Sequence, residues 1–227
     1  MTPVPDRALV LFARDPVPGQ VKTRLHPALD PESACLLYRA FVEDTLDLME
    51  SITGVDRFIG VHPSPDSGFF AQCAERGFRL FAQEGEDLGE RMERALARRL
   101  AEGYRQVVLI GSDSPTLPPA YLKQALASDR PLVLGPSTDG GYYLVAMREA
   151  LFGVFQEVPW GTGRVLEATC RNLEALDLAP GLLPPWYDID RPEDLRFLKT
   201  HLDLMSQAGC PAAPATRACL ARLPLKA

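Results

Sequence analysis

Lysine is scarce in this chain: of 24 basic residues only Lys22, Lys123, Lys199 and Lys226 are lysines. The three histidines, His26, His62 and His201, lack metal-ligand spacing and sit beside no nucleophile motif. Cys35, Cys73, Cys170, Cys210 and Cys219 are odd in number and scattered, with no C-x-x-C pair. That pattern argues against a zinc site and leaves free, buried thiols as the expected state. No apolar run approaches the ~18 residues that span a bilayer, and neither a charged n-region nor an apolar h-region precedes the first strand, so a cytoplasmic location with no membrane partner is expected. A net charge of −6 argues against non-specific binding of nucleic acid, which rests on a basic surface that releases counterions. Neither G-x-G-x-x-G nor G-x-x-x-x-G-K-[ST] is present, and no G-x-S-x-G elbow or cysteine motif supports a covalent mechanism.

What remains is an ordinary globular composition, 46% hydrophobic and 24% charged over 227 residues, enough for one good core. The pattern predicts a single domain over residues 1–205 and a tail over 206–227, where the sequence turns to Ala, Pro, Cys and Arg with weak periodicity. After a first strand, Asp30-Pro31-Glu32 reads as a helix start, and Leu37, Phe41 and Leu48 recur on one face to about Ser51. Strands are expected at 55–61, 78–83, 106–110, 132–134, 142–146 and 186–189, and helices at 69–76, 87–102, 119–127, 163–176 and 192–202. Strands separated by helices predict an α/β fold with a mostly parallel sheet covered on both faces.

In such sheets, ligands bind beyond the carboxyl ends of the strands, so polar residues just after apolar strands carry the most weight. The strand from Leu9 runs into Pro16, Pro18 and Gly19 and then into Lys22, Thr23 and Arg24. A glycine-containing loop lets backbone N–H groups approach an anion that the Lys and Arg neutralise, although the same residues also suit a plain turn with solvated charges. Asp113 follows the buried Val107-Val108-Leu109-Ile110 run, where it serves either as a carboxylate for a hard divalent cation or as a cap for the next turn. Asp139-Gly140-Gly141-Tyr142-Tyr143 fits close backbone approach to a ligand and equally a tight hairpin. Asp188 and Asp190, two apart on an expected strand, share one face and read as metal ligands, with capping of the helix at Pro192 the alternative for Asp190. Glu193 and Asp194 complement the helix dipole. Before the helix at 163, Thr162 is a cap candidate, and Trp160 and Arg164 border a candidate acceptor pocket.

Taken in order, Phe12-Ala13-Arg14-Asp15-Pro16-Val17-Pro18-Gly19-Gln20-Val21-Lys22-Thr23-Arg24-Leu25, Gly85-Glu86-Asp87-Leu88-Gly89-Glu90-Arg91-Met92, Gly111-Ser112-Asp113-Ser114-Pro115, Asp139-Gly140-Gly141-Tyr142-Tyr143 and Asp188-Ile189-Asp190-Arg191-Pro192-Glu193-Asp194-Leu195 resemble the DUF2064 family, also described as the radical-SAM/selenodomain-associated transferase 1 group. That family belongs with the nucleotide-diphospho-sugar transferases of the GT-A fold, and its relatives include guanylyltransferases of molybdenum-cofactor and phospholactate metabolism. The resemblance runs from about residue 7 to about residue 202 and does not reach the tail.

The resemblance implies a Rossmann-like three-layer α/β/α sandwich that binds a nucleoside triphosphate or nucleotide-sugar, with Mg2+ or Mn2+ between carboxylates and phosphates. It implies that Pro18, Gly19, Lys22 and Arg24 hold phosphates and that Asp113 and Asp190, with Asp188, hold the metal. Asp113, Lys22 and Asp190 are then the catalytic residues, and Asp139, Gly140, Gly141, Tyr142 and Trp160 the acceptor pocket. The chain departs from the G-x-G-T-R loop usual in such nucleotidyltransferases, and Arg191 stands where Thr is common before Pro-Glu-Asp. The expected activity is glycosyl transfer from a nucleotide-sugar or nucleotidyl transfer from an NTP to a small-molecule acceptor, with a nucleotide-binding sensor without turnover as the rival. The sequence leaves the base, the acceptor and a homodimeric state open.

Overall fold

A run of apolar residues that alternate between two cores makes the centre of the sheet. In the computed structural model, which describes residues 5–66 and 68–223, β1 (Arg7–Arg14) buries every interior residue. Leu9, Leu11 and Ala13 point into one core, and Ala8, Val10 and Phe12 into the other, as the two-residue period of a strand requires. Truncating a buried leucine such as Leu9 or Leu11 to alanine would cost about 2–5 kcal/mol.

β1 leads through α1 (Pro31–Glu50) to β2 (Asp56–His62), then α2 (Gly68–Glu75), β3 (Arg79–Ala82), α3 (Leu88–Ala101) and β4 (Gln106–Ile110). α1 starts where the sequence predicts, with the Asp30 carboxylate accepting from the Ser33 N–H at 2.8 Å and proline in the first turn. α3 is capped in the same way by Asp87 on the Glu90 N–H at 2.9 Å. The second half adds α4 (Pro119–Ala127), β5 (Leu132–Pro136), β6 (Tyr142–Met147), α5 (Val165–Ala175), β7 (Gly181–Leu182), α6 (Pro192–Gln207) and α7 (Pro214–Leu220).

The seven strands of the sheet run in the order β3-β2-β1-β4-β6-β5-β7, with β6 antiparallel to both its neighbours and the other pairs parallel. α1, α2 and α4 cover one face, while α3 and α5 cover the other. This is the predicted mostly parallel α/β sandwich. The chain moves outward from β1 to β3 and then returns to β4 on the other side of β1, so the switch point lies between β1 and β4.

Two local expectations are corrected. The strand predicted over Trp186 to Ile189 does not form. Pro184 and Pro185 lack the N–H that a ladder needs, so the segment keeps only a bridge between Ser137 and Trp186, beyond the short β7. The last helix extends past Leu202 to Gln207, and the chain beyond it forms α7, which packs on α1. There the buried Asp44 carboxylate accepts from the Ala215 and Thr216 N–H groups at 2.9 and 2.7 Å. Among the described residues no helix is long and apolar enough to cross a membrane.

Candidate active site

The loop after β1 turns at Gly19, whose φ of +79° an L-residue adopts only with strain. Lys22 itself sits at φ 49°, an uncommon conformation for a side chain-bearing residue, and its side chain is only 4% exposed. Its Nζ lies 2.7 Å from Asp113 Oδ1, 2.9 Å from Asp190 Oδ1 and 2.7 Å from the Ile189 carbonyl oxygen. An ammonium has three donors, and all three are engaged. Burial opposes the charge on Lys22, but the two carboxylates outweigh it and hold its pKa above the ordinary value. Burial likewise opposes ionisation of Asp190, yet Lys22, then Arg24 and Arg191, keep its pKa below the usual carboxylate range.

Two segments carry these acids to the switch point. β4 ends at Ile110, and Asp113 follows with its side chain 42% exposed. The Ile189 N–H donates to the Asp113 carbonyl at 2.9 Å, which ties the segment before α6 to the end of β4. Asp190 does not cap α6, the alternative its position allowed. That task falls to Asp194, whose Oδ2 accepts from the N–H groups of Asp190 and Arg191 at 3.0 and 2.7 Å.

Asp188 follows a different course from Asp190. Without a strand the shared face is lost, and the carboxylate of Asp188 accepts from the hydroxyl of Ser114 and, at 2.7 Å, from that of Ser137. Burial, with smaller contributions from the charges of Asp113 and Asp139, outweighs these hydrogen bonds and raises its pKa to about 6.

Arg24 spans the mouth of the site, with Nη1 3.3 Å from Asp190 Oδ2 and Nη2 donating to the Gly161 carbonyl at 3.1 Å. It thereby ties the first loop to the loop before α5. That loop is held from its other side by the β5–β6 hairpin. Asp139 Oδ1 accepts from the Gly141 N–H at 2.9 Å, a tight turn as the Asp-Gly pair suggests, and Gly140 packs so closely on the loop that a Cβ there would stand 2.3 Å from the Gly163 carbonyl oxygen. Thr162 accepts from the Arg164 N–H at 3.3 Å just before α5, and Arg164 pairs with Glu167 at the surface.

The result is a cleft of two adjoining chambers of about 580 and 750 Å3, with Asp113, Asp188, Asp190 and Tyr142 among the residues lining both. The smaller contains Lys22 and Thr23 together with Arg14, His62, Gln83 and Arg91. The larger contains Asp139, Gly141, Trp160, Thr162 and Gly163. Tyr142 meets Trp160 edge-on at 6.1 Å, and the indole Nε1 of Trp160 is buried without a partner among the described residues. Tyr143 belongs to the core, its hydroxyl donating to the Pro184 carbonyl at 2.9 Å. Pro18 and Gly19 do not line either chamber.

The sequence reading gave no role to Arg14, His62, Gln83 and Arg91. Arg14, His62 and Gln83 lie at or just after the ends of β1, β2 and β3, so the strand-end rule that singled out Asp113 applied to them as well, whereas Arg91 lies in the first turn of α3, where that rule gives no signal. Ser114 and Ser137, the partners of Asp188, carried no sequence signal, because they meet it only through the fold.

Residues 45–162 match the family model DUF2064, whose description is an uncharacterized protein conserved in bacteria. The crystal structure of a "putative nucleotide-diphospho-sugar transferase" from Desulfovibrio desulfuricans G20 superposes with a TM-score of 0.83 at 32% identity, covering 95% of this chain and 94% of that one. A 4-diphosphocytidyl-2C-methyl-D-erythritol synthase from Anaerococcus prevotii DSM 20548 gives 0.56 at 13% identity, over 87% and 98% of the two chains. The inositol-1-phosphate CTP transferase from T. maritima gives 0.53 at 16%, over 90% and 96%. At those identities the likeness is one of fold. No curated protein sequence matches the chain.

Proposed function

The chain belongs to the DUF2064 family, and from that membership and the chemistry of its cleft we propose that it is a transferase acting on an activated nucleotide, with Mg2+ or Mn2+ between Asp113, Asp190 and the substrate's phosphates. One observation carries this reading: two carboxylates at the switch point of the sheet converge on a single cation, the Lys22 ammonium. Hard oxygen donors gathered around one positive centre suit a divalent cation that takes one or two carboxylates and completes its shell with phosphate oxygens and water. Among the described residues no group of three His, Cys, Asp or Glu side chains is arranged to hold a metal by itself, so the substrate's oxygens are part of this reading. When bound, the metal would stabilise charge on the phosphate oxygens as the leaving group departs.

The protein's own residues do the rest. Lys22 holds Asp113 and Asp190 together, and it and Arg24 contact phosphate by exchanging a carboxylate for a phosphate oxygen. Tyr142 and Trp160, with Asp139 and Gly141, line the chamber for a small-molecule acceptor, and Gly140 packs the hairpin against Gly163 beside it. The acceptor attacks directly, so no protein nucleophile is required. The description of the 32%-identical relative supports nucleotide-sugar chemistry, while nucleotidyl transfer from an NTP fits the same site. The five free thiols fit a cytoplasmic location.

One observation favours a binding module without turnover: Lys22 already satisfies both carboxylates. Incubation with radiolabelled NTPs and nucleotide-sugars plus Mg2+ decides between these readings. Released pyrophosphate selects nucleotidyl transfer, and released nucleoside diphosphate selects glycosyl transfer. Tight binding with neither product across a broad acceptor panel selects the module.

A further inference from the structure

The smaller chamber of the cleft holds more positive charge than its acids use. Lys22 is fully engaged by Asp113, Asp190 and the Ile189 carbonyl, and Arg24 by Asp190 and the Gly161 carbonyl. Asp188, the remaining acid of the smaller chamber, is held by two serine hydroxyls. Two guanidinium groups remain, those of Arg14 and Arg91, and among the described residues neither lies within ion-pair distance of a carboxylate. Asp15, next to Arg14 in sequence, does not line the chamber.

We propose that Arg14, His62 and Arg91 form a polyanion subsite that takes the phosphate chain of a nucleoside di- or triphosphate, an assignment that rests on the nucleotide reading above.

Three features make this a built site. The parallel register of β1 and β2 sets Arg14 opposite His62, so both side chains leave the same face at the ends of neighbouring strands. Arg91, in the first turn of α3, is anchored by its Nε, which donates to the Gly85 carbonyl at 2.9 Å and leaves both terminal nitrogens of the guanidinium for a ligand. Gly85 is required for that anchor, because at its φ of +144° a Cβ would stand 2.8 Å from the Arg91 backbone nitrogen. Behind them, Gln83 Nε2 donates to the Ala13 and Gly60 carbonyls at 3.1 and 2.8 Å and pins the strand ends. The charges act on one another: burial, then Arg91 and Arg14, depress the basicity of His62. Like charges gathered without an acid are tolerated where an anion relieves them, and guanidinium forks match phosphate oxygens.

The test uses inorganic tripolyphosphate as the probe, in EDTA and without nucleotide. Calorimetry on Arg14→Gln and Arg91→Gln should show affinity reduced about tenfold or more for each, while Arg105→Gln, an exposed residue paired with Asp6, binds as the wild type does. NMR titration of the wild-type His62 ring should show its pKa rise when tripolyphosphate is added, a readout independent of any variant's folding. Unchanged affinity in both variants, or a His62 pKa that does not move, overturns the subsite. The two proposals can fail separately. Tripolyphosphate binding that follows Arg14 and Arg91 without nucleotide binding supports the subsite and defeats the nucleotide reading. Nucleotide binding unaffected in both variants defeats the subsite and leaves that reading standing.

Discussion

Lys22 Nζ stands 2.7 Å from Asp113 Oδ1 and at 2.9 Å also touches Asp190, so one buried ammonium occupies the point where two carboxylates from distant parts of the chain meet. A lysine in that position competes with any second cation. The competition is the source of the first prediction.

Replacing Lys22 with methionine leaves two carboxylates facing each other without their cation. Breaking such a buried pair should cost about 3 kcal/mol, near the low end for buried ion pairs because Asp113 is 42% exposed. Mn2+ should restore part of this loss. Thermal melts with and without Mn2+ should show a larger metal-induced rise in Lys22→Met than in the wild type. An equal or smaller rise would mean that the carboxylate pair does not accept a metal.

Asp113, Asp188 and Asp190 were expected to act together; in the structure Asp113 and Asp190 share Lys22, while Asp188 is held by Ser114 and Ser137. Asp113→Asn and Asp190→Asn should abolish Mn2+-dependent nucleotide binding with the fold intact. Asp188→Asn should keep that binding and lose about 1–3 kcal/mol of stability, because an amide cannot accept from both Ser114 and Ser137 as the carboxylate does. Calorimetry and melts on the three variants check this; loss of metal-dependent binding in Asp188→Asn would return Asp188 to the metal.

The central sheet was legible because its signals are local. Val107 to Ile110 reads as a buried strand and is one, and Asp30-Pro31 starts a helix at the predicted residue. The segment before α6 was misread because Trp186 to Ile189 has strand-forming residues, while the prolines that deny it a ladder lie just upstream and its path is set by a hydrogen bond to Asp113. Asp113 was legible as a carboxylate just after a buried strand, whereas Asp190 was read from a strand that does not form. The partners of those carboxylates were not legible, since neither Lys22 bridging two acids nor serines holding Asp188 follows from spacing along the chain.

The C-terminal helix α7 provides a test through pH. Burial is the main reason the Asp44 pKa is raised, against hydrogen bonds from Thr216 and Ala215 that lower it. A carboxyl group whose folded pKa exceeds the unfolded value of about 3.9 contributes stability in its protonated form and loses it as pH rises through the folded pKa. Denaturation of the wild type should therefore show stability falling with rising pH over that window, a slope that Asp44→Asn removes. Asp44→Ala should in addition loosen α7, costing about 1–2 kcal/mol through the lost cap. Urea melts across the acid range, with hydrogen exchange at Ala215 and Thr216, provide the measurement; a wild-type slope retained in Asp44→Asn would assign it to another group.

Trp160 should separate packing from substrate contact. Its ring packs on Tyr142 and Phe155, with centroids 6.1 and 6.2 Å away, and lies against Gly89 of α3, where a Cβ would approach it to 2.9 Å. The indole Nε1, by contrast, is buried and has no partner among the described residues, a state that costs about 1–3 kcal/mol when nothing accepts from the donor. Trp160→Phe removes the N–H and keeps most of the ring, so stability should be unchanged or slightly higher. If the N–H serves the acceptor, the same change should raise the acceptor KM while leaving metal–nucleotide affinity as it was, because Trp160 lines only the larger chamber, whereas Lys22, His62 and Arg91 line only the smaller. Trp160→Ala, which also removes the packing, should destabilise the loop before α5 and affect both. Steady-state kinetics with acceptor and nucleotide varied separately, beside melts of both variants, tests this; an unchanged acceptor KM in Trp160→Phe would confine Trp160 to packing.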